Sequence, residues 1–158
     1  MSQRITAAEL NAFIAPAVEV LEKIASISAE VGPLERQPAS ISVDTPIILI
    51  GLVGDLEGMI VFQFDRPVLK KILTSLLGNL PESFDHPICL DAMGEVANII
   101  AGNATSRLEE LGLRSTITPP QVQTGKEGHQ WTAEKEGLII PLVSVFGKIG
   151  ICTFLQKT

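Results

Sequence analysis

Glu95 and Asn98 are the residues of this chain whose types and spacing point most directly to chemistry. Three positions apart in a helix, they stand side by side on its surface. A carboxylate is then paired with a carboxamide, a charged acceptor beside a group that both donates and accepts. On an arbitrary helix such a pair is most often part of a solvated polar face, and the wider string around it decides whether it is more.

The stretch Leu90 to Leu111 is predicted to be the helix that holds them. At about 100° per residue, Leu90, Met93, Ala97, Ile100, Ala104, Leu108 and Leu111 gather on one side, as an amphipathic helix docked on a core requires. Asp91, Glu95, Asn98, Gly102, Thr105 and Glu109 share another side, centred roughly 130° away. Gly94, Ala97 and Ala101 form a small-residue ridge along which a neighbouring element can approach closely, and Gly112 is placed to stop the helix.

The remaining elements follow from local signals. A first helix is expected from about Thr6, with Glu9 completing a capping box, to about Ala29, with Pro16 inside it. Ser40 to Asp44 alternates like an edge strand, and Pro46 to Val53 and Gly58 to Phe64 form a hairpin. Asp65 opens a short helix that runs to Leu77 with Pro67 in its first turn and Gly78 at its end. Leu80 to Pro87 is expected to be a loop. Arg114 to Thr118 is a strand, Thr124 to Gly128 a loop, and Trp131 to Val145 with Lys148 to Leu155 a second long hairpin turning at Phe146 and Gly147.

Composition excludes several classes. The 158 residues suit one domain, 1–158, and 46% apolar content can fill its core. A net charge of −6 without any basic run argues against nucleic acid as partner. No apolar segment approaches a membrane span, and the first ten residues lack the apolar core of a secretory signal. Two cysteines, Cys89 and Cys152, are too few for a disulfide framework or zinc cluster, which favours a reducing cytoplasm. His86 and His129 are isolated in loops, with no third metal ligand in view. Cys89 precedes the central helix, but Ile88 and Leu90 beside it favour a buried structural thiol. The glycines of Gly51 to Gly58 have no following lysine and join two strands, so they form a turn rather than a phosphate loop.

With those residues in place, the string from Asp91 to Gly102 resembles the D/S-x-x-x-E-x-x-N-x-x-x-G signature of the CheC/CheX family of chemotaxis phosphatases. All four signature positions are filled, by Asp91, Glu95, Asn98 and Gly102. The resemblance extends to the helix containing Phe13 and Ile14, to Gly51–Gly58 and to the final hairpin. The halves also align internally, with Asn11 over Asn98, Leu21 over Leu108 and Glu22 over Glu109, as expected of a duplicated unit of one helix and three strands. Ala8 then stands where Glu95 stands in the second copy, leaving one complete site, as in the CheX branch.

The resemblance implies an α/β (α+β) fold in which an antiparallel sheet of about six strands packs against two long helices. It implies hydrolysis of the aspartyl phosphate on a CheY-type response regulator. The regulator would contribute Mg²⁺ and a lysine, so this chain needs no cofactor of its own. Asn98 would aim the water, Glu95 would meet the lysine, and Asp91, Gly102 and Thr105 would line the partner-binding surface. A homodimer joined at sheet edges is implied as well. A non-catalytic module that binds a phosphorylated regulator, as the flagellar switch proteins do, is the alternative of a different class. A small-molecule enzyme finds no nucleophile or metal set here.

Overall fold

The computed structural model describes residues 4–125 and 130–158. His129 lies outside the described residues. Three helices occur among the described residues, α1 (Ala7–Ala25), α2 (Arg66–Leu77) and α3 (Pro87–Glu110). The strands are β1 (Glu30–Val31), β2 (Glu35–Gln37), β3 (Ser40–Ser42), β4 (Ile47–Gly54), β5 (Leu56–Phe64), β6 (Ser115–Ile117), β7 (Gln121–Gln123), β8 (Gln130–Thr132), β9 (Gly137–Ser144) and β10 (Gly147–Lys157).

The main sheet is antiparallel in the order β1-β9-β10-β5-β4-β6, with β2 also pairing β9 and β7 also pairing β4. It has eight strands but six lateral positions, because each outer position is split between two short segments. The breaks fall at Gly32 and Pro33 on one edge and at Pro119 and Pro120 on the other. Proline cannot donate to a ladder, so each edge is interrupted where it would otherwise run on. The C-terminal strands β9 and β10 lie inside the sheet, and that half contributes an edge only through β6 and β7.

The order of the strands displays the duplication. One unit runs α1, β1/β2, β4, β5 and the other α3, β6/β7, β9, β10, with the split outer segments exchanged so that each pairs with the other unit's inner strand. The last strands of the two units meet at the centre, Ile151 opposite Phe62. β3 and β8, also equivalent, pair with each other, Ile41 opposite Trp131. This exchange ties both halves into one sheet.

The helices cover one face of the sheet. Ile48, Ile50, Leu52, Ile60, Phe62, Ile140, Leu142, Ile149 and Ile151 face them, packed on Phe13, Leu21, Leu69, Met93, Ile100 and Leu108. On the other face a smaller cluster of Ile41, Val43, Ile47, Leu49, Val61 and Cys152 lies under the β3–β8 ribbon, with Trp131 tilted against Phe154 at 5.3 Å between ring centroids. β4 is therefore buried on both sides, which is why its sequence is a continuous apolar run rather than an alternation. The two long helices pack together as expected, and α2 joins their layer by contacting both.

Several boundaries differ from expectation. α1 ends at Ala25, where Ser26 takes a left-handed conformation, and Ile27 and Ala29 are buried between exposed Ser26, Ser28 and Glu30. That period of two belongs to extended chain, not to a longer helix. α3 starts at Pro87 rather than Leu90, so the preceding loop is shorter than Leu80 to Pro87. The strand expected over Trp131 to Val145 is two strands, β8 and β9, because Trp131 pairs with β3 and leaves the main sheet. The final hairpin turns at Val145 and Phe146.

The capping box at Thr6 and Glu9 is formed, and Glu9 does more than cap. Its carboxylate accepts from the Thr6 N–H at 2.9 Å and pairs with Lys157 Nζ at 2.8 Å, joining the start of α1 to the end of β10. Burial pushes this carboxyl up, but hydrogen bonds from Lys157 and Thr6 outweigh it and hold it below its ordinary 4.5. A depressed carboxylate contributes stability above its unfolded value that is lost as pH falls through its folded one. Glu9→Gln is therefore expected to cost roughly 1–3 kcal/mol at neutral pH. The gap in melting temperature between the parent and this variant should close as pH drops below 4.5. A gap that stays constant down to strong acid would show that the pair does not titrate.

Candidate functional site

α3 is held rigidly at both ends. His86, expected to be an isolated loop histidine, is its N-cap, with Nδ1 accepting from the Ile88 N–H at 3.2 Å, and Pro87 fills the first turn. At the far end Gly112 N–H donates to the Glu109 carbonyl and Leu113 N–H to that of Leu108, both at 2.9 Å. With Gly112 at φ +86 this is a Schellman stop. Cys89 lies inside the first turn rather than before it, and it is buried. Burial pushes its thiol up, overriding the lowering expected of a helix N-terminus.

The buried face of α3 is wider than the seven-residue stripe. Met93, Ala97, Ile100, Ala104 and Leu108 are buried as expected, and so are Gly94, Val96 and Ala101. Leu90 is half-buried, and Leu111 is exposed because it is the C-cap and the chain turns away there. The small-residue ridge has a neighbour: a Cβ on Gly94 would stand 3.6 Å from the Pro120 ring. The break between β6 and β7 thus rests on the turn of α3 that presents Glu95.

On the opposite face Asp91, Glu95 and Glu109 are exposed, and Asn98, Gly102 and Thr105 are half-buried. Every residue singled out from the sequence thus lies along one accessible strip. Among the described residues, neither the Glu95 carboxylate nor the Asn98 carboxamide has a hydrogen-bond or ion-pair partner within the chain. Arg107, Thr105 and Ser106 on the same helix do find partners, Arg107 with Glu19 at 3.0 Å, whereas Asp91, Asn103, Glu109 and Glu110 share the open state of Glu95 and Asn98 among the described residues. Thr105 Oγ1 donates to the Gly102 carbonyl at 2.7 Å, so it faces outward as an acceptor only. Gly102 needs no glycine for packing, since a Cβ there would meet nothing within 4 Å. Asn11, the counterpart of Asn98, is exposed on α1 beside exposed Ala8, with no carboxylate in the matching place.

The same face carries two residues that the polar pattern did not single out, Ile88 and Ile99, which are 47% and 39% exposed. The signal for Ile99 was present in the periodicity, since it follows Glu95 by four and precedes Gly102 by three. Among the described residues no cluster of three His, Cys, Asp or Glu side chains is placed to hold a metal. Among the described residues no helix is long and apolar enough to cross a membrane. The arrangement presents a carboxylate and a carboxamide on a rigid support, uncommitted and open to a partner.

Comparison with known proteins shows the family of the chain. The chain is 28% identical over 144 residues to the CheY-P phosphatase CheX of Thermotoga maritima, covering 88% of each. A chemotaxis protein of Desulfovibrio vulgaris Hildenborough superposes with a TM-score of 0.78 at 26% identity, over 93% of this chain and 96% of that one. The CheX–CheY–BeF3–Mg²⁺ complex from Borrelia burgdorferi matches with a TM-score of 0.69 at 25% identity, over 98% of both chains. The family model for the chemotaxis phosphatase CheX matches residues 46–143, more than half of the chain and all of the strip from Asp91 to Thr105. The chain belongs to the chemotaxis phosphatase CheX family.

Proposed function

We propose that this protein hydrolyses the aspartyl phosphate of a CheY-type response regulator, with Asn98 orienting the attacking water and Glu95 pairing with the regulator's active-site lysine. The observation that carries the reading is the uncommitted carboxylate and carboxamide on α3. Its support from relatives is the phosphatase of Thermotoga maritima and the Borrelia burgdorferi CheX bound to CheY.

An acyl phosphate needs little from a partner. Its own protein holds the Mg²⁺ and the lysine that offset charge on the transferring group, so catalysis is mainly positioning. The carboxamide oxygen of Asn98 accepts a hydrogen bond from a water and aligns the water oxygen with phosphorus, and both water protons leave with the inorganic phosphate. The new P–O bond forms as the bond to the aspartyl oxygen breaks, giving inorganic phosphate and a free aspartate carboxylate. No protein nucleophile and no cofactor resident in this chain take part. Asp91, Gly102 and Thr105 line the contact surface, and the interleaved sheet supports action as a single domain; the compartment of action is that of the regulator, the cytoplasm. For the homodimer that the family resemblance implies, the available edges are β1/β2 and β6/β7, in segments of only two or three residues.

The direct test mixes the purified protein with a phosphorylated regulator from the same genome and follows loss of phosphate. Acceleration over the regulator's own decay is expected, and none at any protein concentration would overturn the reading. Gly102 allows a sharper test, because its roles in folding and in contact separate. Gly102→Ala should stabilise α3 by roughly 0.5–1 kcal/mol and raise the melting temperature by about 1–4 °C. It should nevertheless lower kcat/KM roughly tenfold, because the methyl group takes space a partner would occupy. A variant that gains stability with unchanged activity would reduce Gly102 to an ordinary helix residue.

A further inference from the structure

We infer that Ile88 and Ile99 form an apolar rim that seals the contact around Glu95, and that its occupant is the receiver domain of the phosphorylated regulator. The inference rests on the proposed function and adds the means by which docking is closed. The two side chains are 47% and 39% exposed, whereas Val96 and Ile100 on the same helix are 3% and 4% exposed. Their exposure is therefore a property of this face and not of a loosely packed helix.

Helical spacing puts them on the functional strip. Ile99 lies one turn beyond Glu95 and Ile88 two turns before it, about 16 Å apart along the axis. Ile99 also adjoins Gly102, where the surface is recessed for want of a side chain. Glu95 is thus bracketed by apolar groups along the helix. A ring of apolar contacts that excludes water strengthens a charged pair inside it, because screening is lost.

Charge selects the occupant. The charged residues on this strip are Asp91, Glu95 and Glu109, all acidic and exposed, in a chain of net charge −6. A second copy docked through this face would set those carboxylates against their like. The regulator's active-site lysine, which the proposed function pairs with Glu95, is a cation that a second copy's strip would not bring, and it complements the carboxylate inside the rim.

The test compares the parent, Ile99→Ser and the Ile88→Ser/Ile99→Ser double variant. Both side chains are partly exposed, so the fold should persist with melting temperature lower by only a few degrees, and oligomeric state should not change. Affinity for the regulator loaded with beryllofluoride and Mg²⁺ should weaken roughly tenfold in the double variant, with KM for the phosphorylated regulator rising in step and kcat within about twofold of the parent. In the double background Glu95→Gln should cost less affinity than in the parent, since an unsealed pair is already screened. Unchanged affinity and KM would overturn the proposal, as would a shift in oligomeric state, which would mark the face as a contact between copies. A parent that binds the loaded regulator without speeding phosphate loss would instead overturn hydrolysis, leaving the rim to be judged on the affinity ratio alone.

Discussion

Asn98→Ala is expected to lose roughly a hundredfold or more of the accelerated hydrolysis while folding normally and binding the regulator almost as well as the parent. The carboxamide is half-buried and, among the described residues, has no partner within the chain, so removing it breaks no internal bond. The loss should appear in kcat, because an oriented water matters only once the phosphoryl group is bound. Asn11→Ala is the matched control, since Asn11 occupies the equivalent place in the first unit with Ala8 where a carboxylate would be needed. Single-turnover loss of phosphate at saturating protein checks both variants. Normal turnover by Asn98→Ala would remove the water-positioning role, and a large loss from Asn11→Ala in a folded protein would mean two working sites.

Glu95→Ala separates a sealed docking contact from a solvated helix face. An exposed ion pair contributes roughly 0.2–1 kcal/mol, so a carboxylate on a wet rim would hardly be missed. If the contact closes over Glu95, truncation leaves the regulator's lysine unpaired and costs about 2–5 kcal/mol. The larger loss is expected, concentrated in affinity for the phosphorylated regulator, with kcat at saturation less affected than in Asn98→Ala. Salt should divide the variants as well: the activity of Glu95→Ala should depend less on ionic strength than that of the parent, because the lost contact is a charged one. Steady-state kinetics against regulator concentration at low and high salt measure both effects. Equal apparent affinity for parent and variant at both salts would leave Glu95 as part of a wet surface.

Much of this molecule is legible in its sequence because the signals are local. Thr6 with Glu9, Pro67 with Gly78, and Gly112 mark helix ends through bonds and backbone angles spanning a few residues. The face carrying Asp91, Glu95, Asn98, Gly102 and Thr105 follows from the helical period alone. The elements that escaped notice are those whose existence depends on distant partners. β1, β2 and β7 are two or three residues long and gain their ladders only because β9 and β4 are already in place beside them. Trp131 leaves the strand that its neighbours suggested because Ile41, ninety positions earlier, is its cross-strand partner.

The same division runs through the site. Residue types and spacing determined that a carboxylate and a carboxamide would share a face of one long helix. Tertiary structure decided that this face would stay uncovered while α1, α2 and the sheet enclosed the rest of α3. It also decided that Pro120 would rest on Gly94 beneath Glu95, that the surface at Gly102 would be open, and that Ile88 and Ile99 would remain in solvent while Val96 and Ile100 did not. The period of a helix arises within the segment itself, whereas the burial of each position depends on which remote segments pack against it.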